Sequence, residues 1–234
     1  MKEKNLLEKY PQPKIRRIVS EGLRTIEHRI IASRREKEFF DGDRNYGYGG
    51  FVYDGRWREI AKDIISDYGL TNKSNVLQIN SEKGFLLHDI IHVNPAINVF
   101  GTETSGYAIS QTIENVKDKI VTANPMELPF PDNHFDFVIG LGVVYTLTVV
   151  EAIKALKEIT RVSKKNSFVT LASYTNQDDY FLFKHWTLLG STILKKSEWI
   201  KILEYCNYKG DYSFTNSQAL NLVRSSLIKK GKEV

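Results

Sequence analysis

Residues 75–90 read NVLQINSEKGFLLHDI: a short apolar run, a polar turn, one glycine and a second apolar run. That order spells a strand, a turn and a helix, the usual opening of a nucleotide-binding α/β domain. Downstream of it, strands are expected at 76–79, 97–101, 120–121, 135–140 and 167–173, with helices near 84–91, 106–116 and 149–162 between them. Alternation of this kind means a mostly parallel sheet with helices on both faces. The tail reads differently. A helix near 197–206 precedes GDYSFTN and LNLVRSS, two strand-like runs expected to form an antiparallel pair at the sheet edge.

Composition narrows the functional classes. The 234 residues are 41% hydrophobic and 12% aromatic, enough for a substantial core in one large domain with an appendage. No apolar run approaches the roughly 18 residues that span a bilayer, and MKEKNLLEKYPQPKIRR lacks the apolar core of a secretion signal, so a cytoplasmic location is expected. The single cysteine, Cys206, excludes an internal disulfide, and the five histidines show no ligand spacing, so no metal is expected. Residues 1–40 hold eleven Lys or Arg against six Glu, a difference of five that equals the net charge of +5. The balanced remainder argues against a nucleic-acid surface spread over the chain.

Ile15, Ile18, Val19, Leu23, Ile26, Ile30 and Ile31 recur at helical spacing with basic residues between them, which predicts an amphipathic helical arm broken near Gly22. DGDRNYGYGGFVYDGRW, residues 41–57, then interleaves glycines with Tyr and Trp, a shaped covering loop rather than a linker. Arm and loop are taken as one unit, 1–57, ahead of an α/β domain at 58–234.

Three segments in order resemble the class I S-adenosylmethionine-dependent methyltransferases, the small-molecule branch in particular. They are NVLQINSEKGFLLHDI, NVFGTETSGYAI at 98–109, and ANPMELPFPDNHFDFVIGLGVVYTL at 123–147, with EAIKALKEITRV following. The resemblance implies a Rossmann-like fold with a mostly parallel seven-stranded sheet, S-adenosylmethionine as cofactor and no metal. It places Gln78, Asn80, Glu82 and Gly84 around the cofactor, Glu103 on its ribose hydroxyls and Asn124 on its adenine. Four of these depart from the family pattern: Gln78 and Asn124 stand for acids, and Asn80 and Glu82 stand for glycines. Side chains at the glycine positions occupy room a ligand needs, and Glu82 adds a charge that could face the ligand's carboxylate or instead turn to Lys83 or the ligand's amino group. A degenerate first motif with weak cofactor binding is therefore expected.

RNYGYGGFVYDGRW resembles loops of methyltransferase-like proteins encoded in bacterial capsule and O-methyl phosphoramidate clusters. Arg44 and Arg56 offer bidentate donors for phosphate or carboxylate, while Tyr46, Tyr48, Tyr53 and Trp57 could wall a small polar ligand. Equally, Arg56 could pair with Asp54 or Asp63 and the aromatics could simply pin the loop. Tyr145 and His185 are the weak catalytic candidates, His185 as a general base. Three readings remain open: an impaired methyltransferase-like protein of surface-polysaccharide metabolism, an active O-methyltransferase on a small polar or phosphorylated metabolite, and a noncatalytic partner of an active paralogue. The last would dock through the arm, which could equally join two copies of the chain.

Overall fold

The computed structural model describes residues 1–12 and 15–225. The chain opens with β1 (Arg17–Val19), α1 (Ile26–Ser33) and α2 (Lys37–Asp41), and a loop leads into α3 (Arg58–Asp67). Next come β2 (Asn75–Ile79), α4 (Phe85–Val93), β3 (Asn98–Glu103), α5 (Gly106–Ser110), a 3₁₀ turn (Glu114–Lys119) and β4 (Ile120–Thr122). β5 (Phe135–Gly140), α6 (Val149–Val162), β6 (Ser163–Tyr174) and α7 (Gln177–Trp186) continue the alternation. β7 (Leu194–Lys195), α8 (Lys196–Tyr205), β8 (Asp211–Thr215) and β9 (Leu222–Arg224) complete it.

Seven strands form one sheet in the order β4, β3, β2, β5, β6, β7, with β8 also bonded to β6. Every strand pairing in it is parallel, as the α/β alternation requires. Helices cover both faces. Ala152, Leu156 and Ile159 of α6 and Trp199 and Leu203 of α8 pack on one side, and Ile60, Ile64, Leu86 and Ile90 of α3 and α4 on the other. Strand order reverses between β2 and β5, so the crevice past the carboxyl ends of those strands is where such a sheet offers a binding site.

The tail differs from expectation. β8 follows α8, a helical crossover, and therefore enters parallel to β6, with Phe168 opposite Asp211 and Ala172 opposite Thr215. Asn216 then turns the chain, its side chain accepting from Ala219 N at 2.8 Å. That turn sends β9 away to pair with β1, Arg17 opposite Leu222. The two tail strands thus join different sheets rather than each other; Ser226, at the end of the second run, lies outside the described residues. The same pairing explains why the arm begins as a strand at Arg17–Val19, and its helix starts only at the Thr25 capping box. The helix expected at 106–116 is also interrupted, because Ile113 N turns to bond Lys83 O at 3.0 Å.

Ala32, Phe39 and Phe40 of the arm pack against Ala108, Tyr107, Leu188 and Leu189. The arm thus lies over the carboxyl ends of the strands, at the crevice.

Candidate functional site

The turn after β2 keeps a left-handed backbone without its glycines. Asn80 (φ +50°) and Glu82 (φ +56°) sit in the left-handed region beside Gly84 (φ +77°). Only Gly84 is sterically compelled: a Cβ there would meet Val116 Cγ2 at 2.8 Å. Lys83, nearly buried, ties this turn to the arm, its Nζ donating to both oxygens of Asp41 (2.8 and 2.6 Å) and to Phe51 O (2.8 Å). Tyr107 donates to Asp41 at 2.7 Å, and the Phe51 ring stacks on Phe85 at 4.9 Å. Turn, loop and α2 are thereby one assembly.

At the end of β3, the Glu103 carboxylate is 0% exposed. It accepts from Glu82 N (2.9 Å), Thr104 N (2.8 Å), Ser105 N (3.0 Å) and Thr104 Oγ1 (3.3 Å), and from Arg35 Nη2 at 3.3 Å. A carboxylate has about four lone-pair sites, so this one is saturated by its own chain. Arg35 itself holds φ +51°, an uncommon conformation for a side-chain-bearing residue, and Ser105 Oγ donates to its carbonyl. Chain geometry at the end of α1 therefore aims this guanidinium into the crevice.

Glu82 joins the same group, accepting from Tyr48 Oη at 2.5 Å. Burial pushes its carboxyl up to about 7, against the pull of Arg35 and the Tyr48 bond. A folded pKa above the unfolded value of about 4.3 means the folded chain holds the extra proton between them. Stability from this group is thus present at low pH and lost as pH rises through about 7. Glu82→Gln fixes the neutral form, so its melting temperature relative to the unmodified chain is expected to climb between about pH 4.5 and 7 and level off above. Thermal melts across that range check it; a pH-independent difference would place Glu82 in water.

Two joined clefts open here. The larger, about 580 Å³, is lined by Asn80, Thr104, Asn124, Thr146, Arg29 and Lys184 among others; the smaller, about 250 Å³, by Glu82, Gly142, Tyr145, Trp186, Arg24 and Arg44 among others. Arg35 and Asn80 border both. Asn80 Oδ1 is buried there without a hydrogen-bond partner, as is Gln78 Oε1 within the strand layer.

Among the sequence candidates, the structure brings Asn80, Glu82, Asn124, Arg44 and Tyr145 to the cleft walls, with Glu103 enclosed behind Arg35. Asn124 Oδ1 accepts from Met126 N at 2.9 Å. Burial pushes the Tyr145 phenol up to about 12, which keeps it a hydrogen-bond donor rather than a base at neutral pH. His185 packs on Phe181 at 4.3 Å and lines neither cleft. The remaining loop residues lie elsewhere. Tyr53 donates to buried Asp89 at 2.6 Å, Arg56 pairs with Asp54 at 2.5 Å, Trp57 meets Tyr10 at 4.7 Å and Tyr46 meets His28 at 5.6 Å.

Sequence reasoning missed Arg24, Arg29, Arg35 and Lys184 as cleft residues; the helical period of the arm marked its basic face without showing what that face meets. Among the described residues no three His, Cys, Asp or Glu side chains gather as metal ligands, and no helix is long and apolar enough to cross a membrane.

Strand order, crevice and helix placement define the α/β domain as a class I methyltransferase fold. Residues 83–171 match the family model described as a methyltransferase domain. Demethylmenaquinone methyltransferase of Staphylococcus aureus is 32% identical over 136 residues, 55% of this chain and 53% of that protein. The aligned part thus spans about half the length of that curated relative. Among solved structures, the YcgJ protein of Bacillus subtilis shares the fold with TM-score 0.51 at 18% identity, covering 62% of this chain and 66% of that one. The [4+2]-cyclase SpnF does so with TM-score 0.52 at 17% identity, covering 64% and 57%.

Proposed function

We propose that this chain is a methyltransferase-fold protein of surface-polysaccharide metabolism that binds S-adenosylmethionine weakly, because its own arm occupies the ribose end of the cofactor site. One observation carries the reading: Glu103, the acid that would take the ribose hydroxyls, is fully enclosed and bonded to Arg35. A ligand can reach those oxygens only after Arg35 withdraws from a buried carboxylate. Withdrawal costs about 3 kcal/mol, roughly a hundredfold in affinity. Asn80 and Glu82 add side chains where the family has bare backbone.

The tie to surface polysaccharides rests on the sequence resemblance of the loop at 44–57, and the polar and basic lining of the acceptor end suits a small polar ligand. The fold by itself does not fix methyl transfer as the reaction. Nor does the quinone acceptor of the S. aureus relative suit clefts lined by Arg24, Arg29, Arg44 and Lys184. A second reading, an active O-methyltransferase, is favoured by one feature: the unpartnered Asn80 Oδ1 would suit an ammonium or hydroxyl donor on a bound ligand. In the third, a noncatalytic subunit for an active paralogue, Ile15, Ile18, Ile26 and Ile30, exposed on the arm, would meet the partner. Calorimetric titration with S-adenosylhomocysteine separates the first reading from the second, with no saturable heat expected.

A further inference from the structure

Among the arginines bordering the smaller cleft, Arg35 is paired with Glu103, whereas Arg24 and Arg44 have no acidic partner among the described residues. Arg56, Arg58, Arg161 and Arg224 each have an acidic partner. Arg24, Arg29, Arg44 and Lys184 have none within 4.0 Å among the described residues, although all four border the joined clefts. Backbone carbonyls hold the guanidiniums in place instead. Arg24 donates through Nη1 to Asn45 O (3.0 Å) and Arg44 O (3.4 Å) and through Nε to Trp186 O (3.3 Å), and its guanidinium lies 5.2 Å from the Trp186 ring. Arg29 donates to Lys184 O at 2.7 Å, and Arg44 donates to Gly47 O. Arg24 Nη2 and Arg44 Nε and Nη2 remain without a protein acceptor among the described residues.

Fixing like charges together on a partly desolvated wall is unfavourable unless an anion neutralises them. Burial, then the charges of Arg44 and Arg29, lower the Arg24 pKa, the signature of uncompensated cations. Carbonyl anchoring also leaves the forks preorganised, so little side-chain entropy is lost when an oxyanion arrives. Trp186, Tyr145 and Phe183 line the same cleft and offer apolar surface to the uncharged part of a ligand.

We infer that the smaller cleft binds the phosphoryl group of a phosphorylated small molecule between Arg24 and Arg44, with its organic portion against Trp186. Glu82 borders the same cleft, but Arg24 and Arg44 face it without acidic partners, so an anion placed between them meets net positive charge. At about 250 Å³ the cleft has room for a phosphoryl group and a few further atoms. This deepens the acceptor part of the proposed function and stands apart from the cofactor question: cofactor binding would overturn the weak-binding reading and leave this one intact.

The test is a titration of inorganic phosphate, followed by ³¹P line broadening and by thermal shift, against sodium chloride at equal ionic strength. Saturable binding above the chloride control is expected, with at least a tenfold loss of affinity in Arg44→Gln and in Arg24→Gln. Because Arg24 also anchors three carbonyls, Arg44→Gln carries the test if Arg24→Gln fails to fold. Phosphate binding no better than chloride, or unchanged in Arg44→Gln, would overturn the inference. So would a single-stranded oligonucleotide binding more tightly than phosphate and in proportion to its length, which would reassign the wall to nucleic acid.

Discussion

Arg35→Ala is expected to lower the unfolding free energy by about 3 to 5 kcal/mol, a loss of roughly 10 °C in melting temperature for a chain of this size. The effect is large for a residue on an appended arm because of what the substitution leaves behind. Glu103 is 0% exposed, and the guanidinium is its one cationic partner among the described residues. Removing the partner strands a carboxylate that still receives backbone N–H groups but no countercharge. Arg35→Lys retains a charge yet cannot reproduce the planar donor, so an intermediate loss is expected. Chemical denaturation of the three proteins measures it. A change below about 1 kcal/mol for Arg35→Ala would show that the contact is solvated and that the crevice stands open.

Asn80→Gly combined with Glu82→Gly is expected to improve S-adenosylhomocysteine affinity by up to about a thousandfold at pH 8, where the Glu82 carboxyl is ionised. Two carboxylates about 4 Å apart repel by about 4 kcal/mol at an effective dielectric of 20, and relief of that repulsion sets the scale. Glycine also removes the left-handed strain, about 1 kcal/mol or more for a residue such as Glu82. Below about pH 6 the gain is expected to shrink, since protonated Glu82 no longer repels. Adding Arg35→Ala should increase affinity again by exposing Glu103 to the ribose. If the glycine variant gains nothing but the triple variant binds, the obstruction lies in Arg35; if neither binds, the crowding argument is wrong.

The fold was legible because its signals are local. The apolar runs of β2 and β5 and the glycine before α4 each specify an element from a few neighbouring residues. β9 was read as a strand but its partner was not, because it pairs with a three-residue strand some two hundred positions earlier, and strands so short carry no register signal of their own. α7 went unrecognised as a helix, though Asn176 caps it by accepting from Asp179 N at 2.9 Å. In the site, Glu103 could be found from its place at a strand end. Arg35 could not: its contact is 68 residues distant and depends on a left-handed φ that no sequence pattern announces. The loop residues Tyr53 and Arg56 looked like ligand donors by type, yet Asp89 and Asp54 stand within hydrogen-bond reach and take them.

Occupation of the ribose site by Arg35 is tested most directly by calorimetric titration of S-adenosylhomocysteine into the unmodified chain at pH 8. No saturable heat is expected up to about 1 mM, because displacing Arg35 and crowding against Glu82 together consume several kcal/mol of binding energy. A one-to-one isotherm with a dissociation constant in the low micromolar range would contradict it.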